Sequence, residues 1–140
     1  SFSDEGYTLE EYKMINETKK ILHDDTLKVV STCVRVPIKV GHAVSVALEL
    51  NEEFKISEIK KLLQEEPGVV LLDDEHHNIY PTTEFICNSN SVFVGRIRKD
   101  LSYPNGLLFY CTSNNLTRGA SYNALKILEE LLLNRILVFW

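Results

Sequence analysis

Two runs rich in β-branched and aromatic residues, SVFVGRIR (91–98) and GLLFYCTS (106–113), flank DLSYPNG, where Pro104, Asn105 and Gly106 are turn formers. Strands joined by so short a turn can only run antiparallel, so the spacing predicts a hairpin. That hairpin rules out an all-helical chain and an all-parallel sheet.

The remaining elements surround it. Thr8 and Glu11 form a T-x-x-E capping box, and Met14, Ile15, Thr18, Ile21 and Leu22 recur at helical spacing, predicting a helix over about 9–22. LKVVSTCVRVPIKV (27–40) and AVSVALEL (43–50) read as two strands joined near Gly41-His42, the second with Val44, Val46, Leu48 and Leu50 on one face. Ser57 is placed to cap a second helix with Ile59, Leu62 and Leu63 as its buried stripe, ended by Pro67-Gly68 and followed by the strand VVLLDD. A final helix over 116–140 is apolar around most of its circumference.

Helices and strands intermingle without regular βαβ alternation, which predicts an α+β fold: a mixed, largely antiparallel sheet with helices packed on it. The 140 residues suit a single domain.

A formal net charge of −5 speaks against a polyanion partner, so no nucleic acid is expected. No apolar run approaches the roughly 18–20 residues that span a bilayer, and SFSDEGYTLEE has no leader-like pattern, so no membrane is expected either. Cys33, Cys87 and Cys111 are odd in number and widely spaced, and each sits in apolar sequence. They read as small hydrophobes in a reducing cytoplasm rather than as a disulfide framework or nucleophiles. His76 and His77 stand beside Asp73, Asp74 and Glu75, but ligand spacing is missing and no metal is expected. Neither GxGxxG nor GxxxxGK[ST] occurs, so any nucleotide would be bound mainly by another part of a longer protein, from which SFSDEGYTLEE reads as an interior start.

Four residues carry recognisable chemistry. In CVRVPIKVGHA, Arg35 alternates with Val34 and Val36, so its guanidinium lies on the face opposite a valine row, where its planar fork suits either a carboxylate ligand or a structural ion pair. His42 follows Gly41 at a loop position, and imidazole is the side chain suited to proton transfer near neutral pH. Glu10 and Lys13, with Glu17, share the edge of the first helix's polar face, where an exposed ion-pair row is the plainer alternative to a ligand site.

GYTLEEYKMINETKKIL, STCVRVPIKVGHA, EEPGVVLLDD, YPTT, VFVGRIRKD and NNLTRGASYNALKILEE occur in that order and together resemble the C-terminal domain of the bacterial aspartate-semialdehyde dehydrogenases. The resemblance runs from about residue 6 to residue 131. It implies a fold similar to the C-terminal domain of glyceraldehyde-3-phosphate dehydrogenase. It also implies a share in the reversible, NADP-dependent reductive dephosphorylation of aspartyl 4-phosphate to aspartate 4-semialdehyde, the branch point toward lysine and diaminopimelate, threonine and methionine.

By the same resemblance Arg35 grips the substrate α-carboxylate and Glu10 its ammonium group. Lys13 stands beside the phosphate site, His42 is the acid/base, and Asn115 lies near the nicotinamide carboxamide. The family binds NADP mainly through an N-terminal Rossmann domain, and the nucleophilic cysteine also precedes the matched region. The chain alone is therefore expected to be inactive, to form a homodimer in the intact enzyme, and to turn its final helix against the nucleotide-binding domain. A non-catalytic dimerisation or amino-acid-binding module of the same fold is the alternative. The family usually has Trp, Asp and Ser where this chain has Tyr12, Asn114 and Ala43.

Overall fold

The computed structural model describes residues 2–84, 86 and 88–133, which divide into two compact units, Ser1–Pro37 and Ile38–Trp140. The expected roles of Cys87 and of residues 134–140 lie outside the described residues.

The first unit is built on α1 (Leu9–Leu22), whose ends follow from its sequence. The Thr8 hydroxyl accepts the Glu11 N–H at 3.3 Å while the Glu11 carboxylate accepts the Thr8 N–H at 2.7 Å, satisfying two of the donors a helix start leaves open. His23 closes the other end in a left-handed conformation, φ 53°, donating back to Lys20 and helped by Asp24 donating to Lys19.

Beyond α1, the run expected to be a strand over residues 27–40 joins no ladder among the described residues. Its presumed core side is uncovered, with Val34 75 % and Val36 48 % exposed. A hairpin at Gly41 would need two turn residues, whereas the Gly41 N–H goes to a side chain from another part of the chain, and Pro37 has no N–H to give a ladder.

The second unit contains β1 (His42–Glu49), α2 (Ile56–Glu65), β2 (Val69–Leu71), β3 (Val92–Lys99) and β4 (Gly106–Ser113), followed by a π-helical turn (Thr117–Ser121) and α3 (Tyr122–Leu133). The four strands lie in the order β1-β4-β3-β2, with β1/β4 and β3/β4 antiparallel and β2/β3 parallel. The expected hairpin is β3–β4, and the mixed, mainly antiparallel sheet of an α+β fold is present.

Val94, Ile97 and Leu107 form the buried centre, packed by Ile59 and Leu63 of α2 and by Val69, Leu71 and Phe109 of the sheet. One correction concerns the start of α2. Ser57 lies inside its first turn, and Glu58 instead reaches back to accept the Lys55 N–H at 3.3 Å.

Within β3 a bulge falls between Gly95 and Arg98, and Arg96 takes φ 58° there. Asp73, its side chain only 2 % exposed, fixes the irregularity by accepting the Arg96 N–H at 2.6 Å, and Lys60 Nζ lies 2.7 Å from its other oxygen.

Candidate functional site

The sequence-nominated residues fall in both units, and each group has its own support. In the first unit, Glu10 and Lys13 lie one turn apart on α1 and meet at 2.9 Å, Lys13 Nζ donating to Glu10 Oε1. The pair is exposed, and the Glu10 carboxylate, with Glu17 beyond it, raises the Lys13 pKa above its ordinary value. An exposed pair of this kind adds little stability.

Arg35 stands on the unladdered run after α1, and among the described residues its guanidinium makes no hydrogen bond or ion pair. The backbone that carries it is nevertheless held. Two residues earlier, the Cys33 N–H donates to Glu11 Oε1 at 2.9 Å, and Ser31 Oγ donates to the Glu11 carbonyl at 3.4 Å. Glu11 is the residue that sequence reasoning left out of the site. Its capping role has a local signature, but its reach to a residue 22 positions later has none.

Accepting the Thr8 N–H, and then the Cys33 N–H and the Thr8 hydroxyl, holds the Glu11 carboxyl below the ordinary glutamate range, against the opposing effect of its burial. Because the folded pKa is the lower one, the stabilisation is fully present above the ordinary glutamate pKa and is lost as pH falls through the folded value. The difference in urea midpoint between the wild type and Glu11→Gln is therefore expected to be largest near neutrality and to shrink below about pH 4. A difference independent of pH would contradict this.

In the second unit, His42 opens β1 directly opposite Ser113 of β4, with its side chain exposed. The preceding corner is tightly specified. Gly41 has φ 94°, and a Cβ there would overlap Ile86 Cδ1 and approach the Ser113 carbonyl to 2.8 Å. Its N–H donates to Asn115 Oδ1 at 3.1 Å. Asn115 therefore sits beside the His42 corner, and Asn114 prepares its position by accepting the Leu116 N–H at 2.9 Å with its own side chain.

Gly41→Ala is expected to cost about 1–3 kcal/mol through overpacking and the positive φ, read from the urea midpoint. An unchanged midpoint would mean that Ile86 yields.

A groove of about 470 Å³ beside Tyr80, Thr82, Arg96 and Tyr110 contains none of the five nominated residues. His77 Nδ1 lies 2.7 Å from Asp74, whose other oxygen accepts the N–H groups of His76 and His77, a local turn. Among the described residues no three His, Cys, Asp or Glu gather as a metal-binding group, and no helix is long and apolar enough to cross a membrane. Cys111 is half-buried and its thiol pKa is pushed up by burial, whereas Cys33 is exposed.

Residues 1–118 match the family model described as semialdehyde dehydrogenase, dimerisation domain. Among curated proteins, the chain is 50 % identical over 131 residues to the aspartate-semialdehyde dehydrogenase of Bacillus subtilis, covering 93 % of this chain and 38 % of that protein. It is 42 % identical over 130 residues to that of Aquifex aeolicus, with the same coverage. Among solved structures, aspartate semialdehyde dehydrogenase II of Vibrio cholerae complexed with ASA superposes with a TM-score of 0.88 at 35 % identity, covering 94 % of this chain and 39 % of that one. The chain thus spans about two fifths of the length of the relatives it matches.

Proposed function

This chain belongs to the semialdehyde dehydrogenase dimerisation-domain family, and from that premise we propose that it is the catalytic and dimerisation domain of an NADP-dependent aspartate-semialdehyde dehydrogenase. The observation that carries the reading is the specified corner at Gly41-His42. A glycine whose φ and packing exclude a side chain delivers an exposed imidazole at the start of a rigid strand.

In this reading the substrate is a small amino acid aldehyde in one direction and its 4-phosphate in the other. The Arg35 guanidinium takes the α-carboxylate through parallel N–H bonds, and Glu10 takes the ammonium. Lys13 contributes positive charge toward phosphate. His42 accepts the proton of a cysteine thiol expected from the portion of the protein that precedes this chain. It then holds or returns a proton at the substrate oxygen as the carbon–sulfur adduct forms and collapses.

NADP, when bound, supplies the hydride chemistry. The residue of this chain that suits it is Asn115: with Oδ1 committed to Gly41, its Nδ2 group remains to donate to a carboxamide oxygen. A cytoplasmic homodimer serving the synthesis of lysine and diaminopimelate, threonine and methionine completes the proposal, and the family's description as a dimerisation domain supports the dimer.

The test is to express the full-length protein and follow NADPH formation from aspartate 4-semialdehyde with phosphate. Phosphate-dependent formation is the expected result. A folded full-length protein with no turnover in either direction would overturn the proposal and leave a dimerisation or amino-acid-binding module.

A further inference from the structure

We propose that Glu11 is a positioning residue for the substrate clamp: one carboxylate oxygen caps the helix that carries Glu10 and Lys13, and the other holds the run that carries Arg35. The inference rests on the reading of those three residues as substrate ligands.

Glu11 is buried, at 7 % exposure. It follows Glu10 directly and lies two residues before Lys13. Its Oε2 accepts from the Thr8 N–H at 2.7 Å and the Thr8 hydroxyl at 2.9 Å, which a capping glutamate needs. Capping leaves the second oxygen without a task, and here it accepts the Cys33 N–H at 2.9 Å. The Glu11 carbonyl takes the Ser31 hydroxyl on the same run.

The run from Leu27 to Pro37 has no ladder among the described residues, so bonds to a sheet do not fix it. The carboxylate therefore supplies a tie between two elements that carry opposite halves of an amino acid clamp. A carboxylate is the group suited to this, since it has two oxygens and both must accept.

Glu11→Gln separates the two tasks. The Gln oxygen satisfies Thr8, because Gln serves in a capping box, and its NH₂ then faces the Cys33 N–H, donor against donor. The expected result in this chain is an unchanged α1 by circular dichroism with much faster hydrogen exchange at the Cys33 amide. In the full-length protein, KM for aspartate 4-semialdehyde should rise about 10-fold with kcat within about 2-fold, the loss of one charge-assisted hydrogen bond felt equally by substrate and transition state.

Cys33→Pro removes the same donor from the other side and should give the same KM rise, which keeps the test available if Glu11→Gln does not fold. Faster exchange at Cys33 with unchanged KM overturns the proposal, as does unaltered exchange. Arg35→Ala run in parallel separates the failures. If it leaves KM unchanged, the reading of Arg35 falls; if it raises KM and the two tie variants do not, only the role of Glu11 falls.

Discussion

Alanine at position 42 is expected to lower kcat of the full-length protein by about 10² to 10⁴-fold while changing KM for aspartate 4-semialdehyde little, as removal of a general acid/base does. The expectation rests on where the imidazole is mounted. His42 pairs with Ser113 at the end of the β1–β4 ladder and follows a glycine packed against Ile86 and tied to Asn115. The side chain is exposed, so its loss leaves no cavity and should not disturb the fold. A fall in turnover can then be assigned to chemistry rather than to unfolding, which circular dichroism and the urea midpoint would check. Turnover equal to wild type would remove His42 from the mechanism. A rise in KM with kcat preserved would recast it as a binding group.

Arg35→Ala should do the converse, raising KM about 10²-fold through loss of a bidentate, charge-assisted pair with the substrate carboxylate, with kcat much less affected. Arg35 makes no ion pair among the described residues, so the fold does not depend on its charge. Lysine should recover only part of the affinity, because an ammonium offers a point charge where the guanidinium offers a planar fork. A substrate analogue lacking the carboxylate should bind wild type and Arg35→Ala alike. Discrimination against that analogue by the alanine variant equal to that of wild type would place the carboxylate elsewhere.

What could be read from the sequence follows from the range of the forces involved. Thr8 and Glu11 announce α1 because a capping box is complete within four residues, and Pro104-Asn105-Gly106 announces the β3–β4 hairpin because a turn is equally local. The valines of 27–40 misled because β-branched residues report only that a pleated surface would suit them, not that a neighbouring strand is there to pair with. The parallel pairing of β2 with β3 was equally hidden, since a three-residue strand carries no signal of its partner. At the site, the Glu10–Lys13 contact could be anticipated from helical spacing. The Glu11–Cys33 and Gly41–Asn115 bonds could not, for they join residues 22 and 74 positions apart.

The wide turn between β4 and α3 has a further effect on the molecule's tolerance of length changes. In Thr117–Ser121 the Gly119 N–H reaches back to the Asn114 carbonyl and the Tyr122 N–H to the Thr117 carbonyl, each five residues away, so this turn contains one residue more than an α-helix would need. Deleting that residue would restore a regular helix, yet it would also turn everything after it by about 100° about the axis. Tyr122, now between Arg118 at 6.0 Å and Lys126 at 5.6 Å, sits at that phase boundary. The surplus residue thus acts as an angular offset, deciding which side of α3 faces any neighbour while leaving the Asn115 corner where it is.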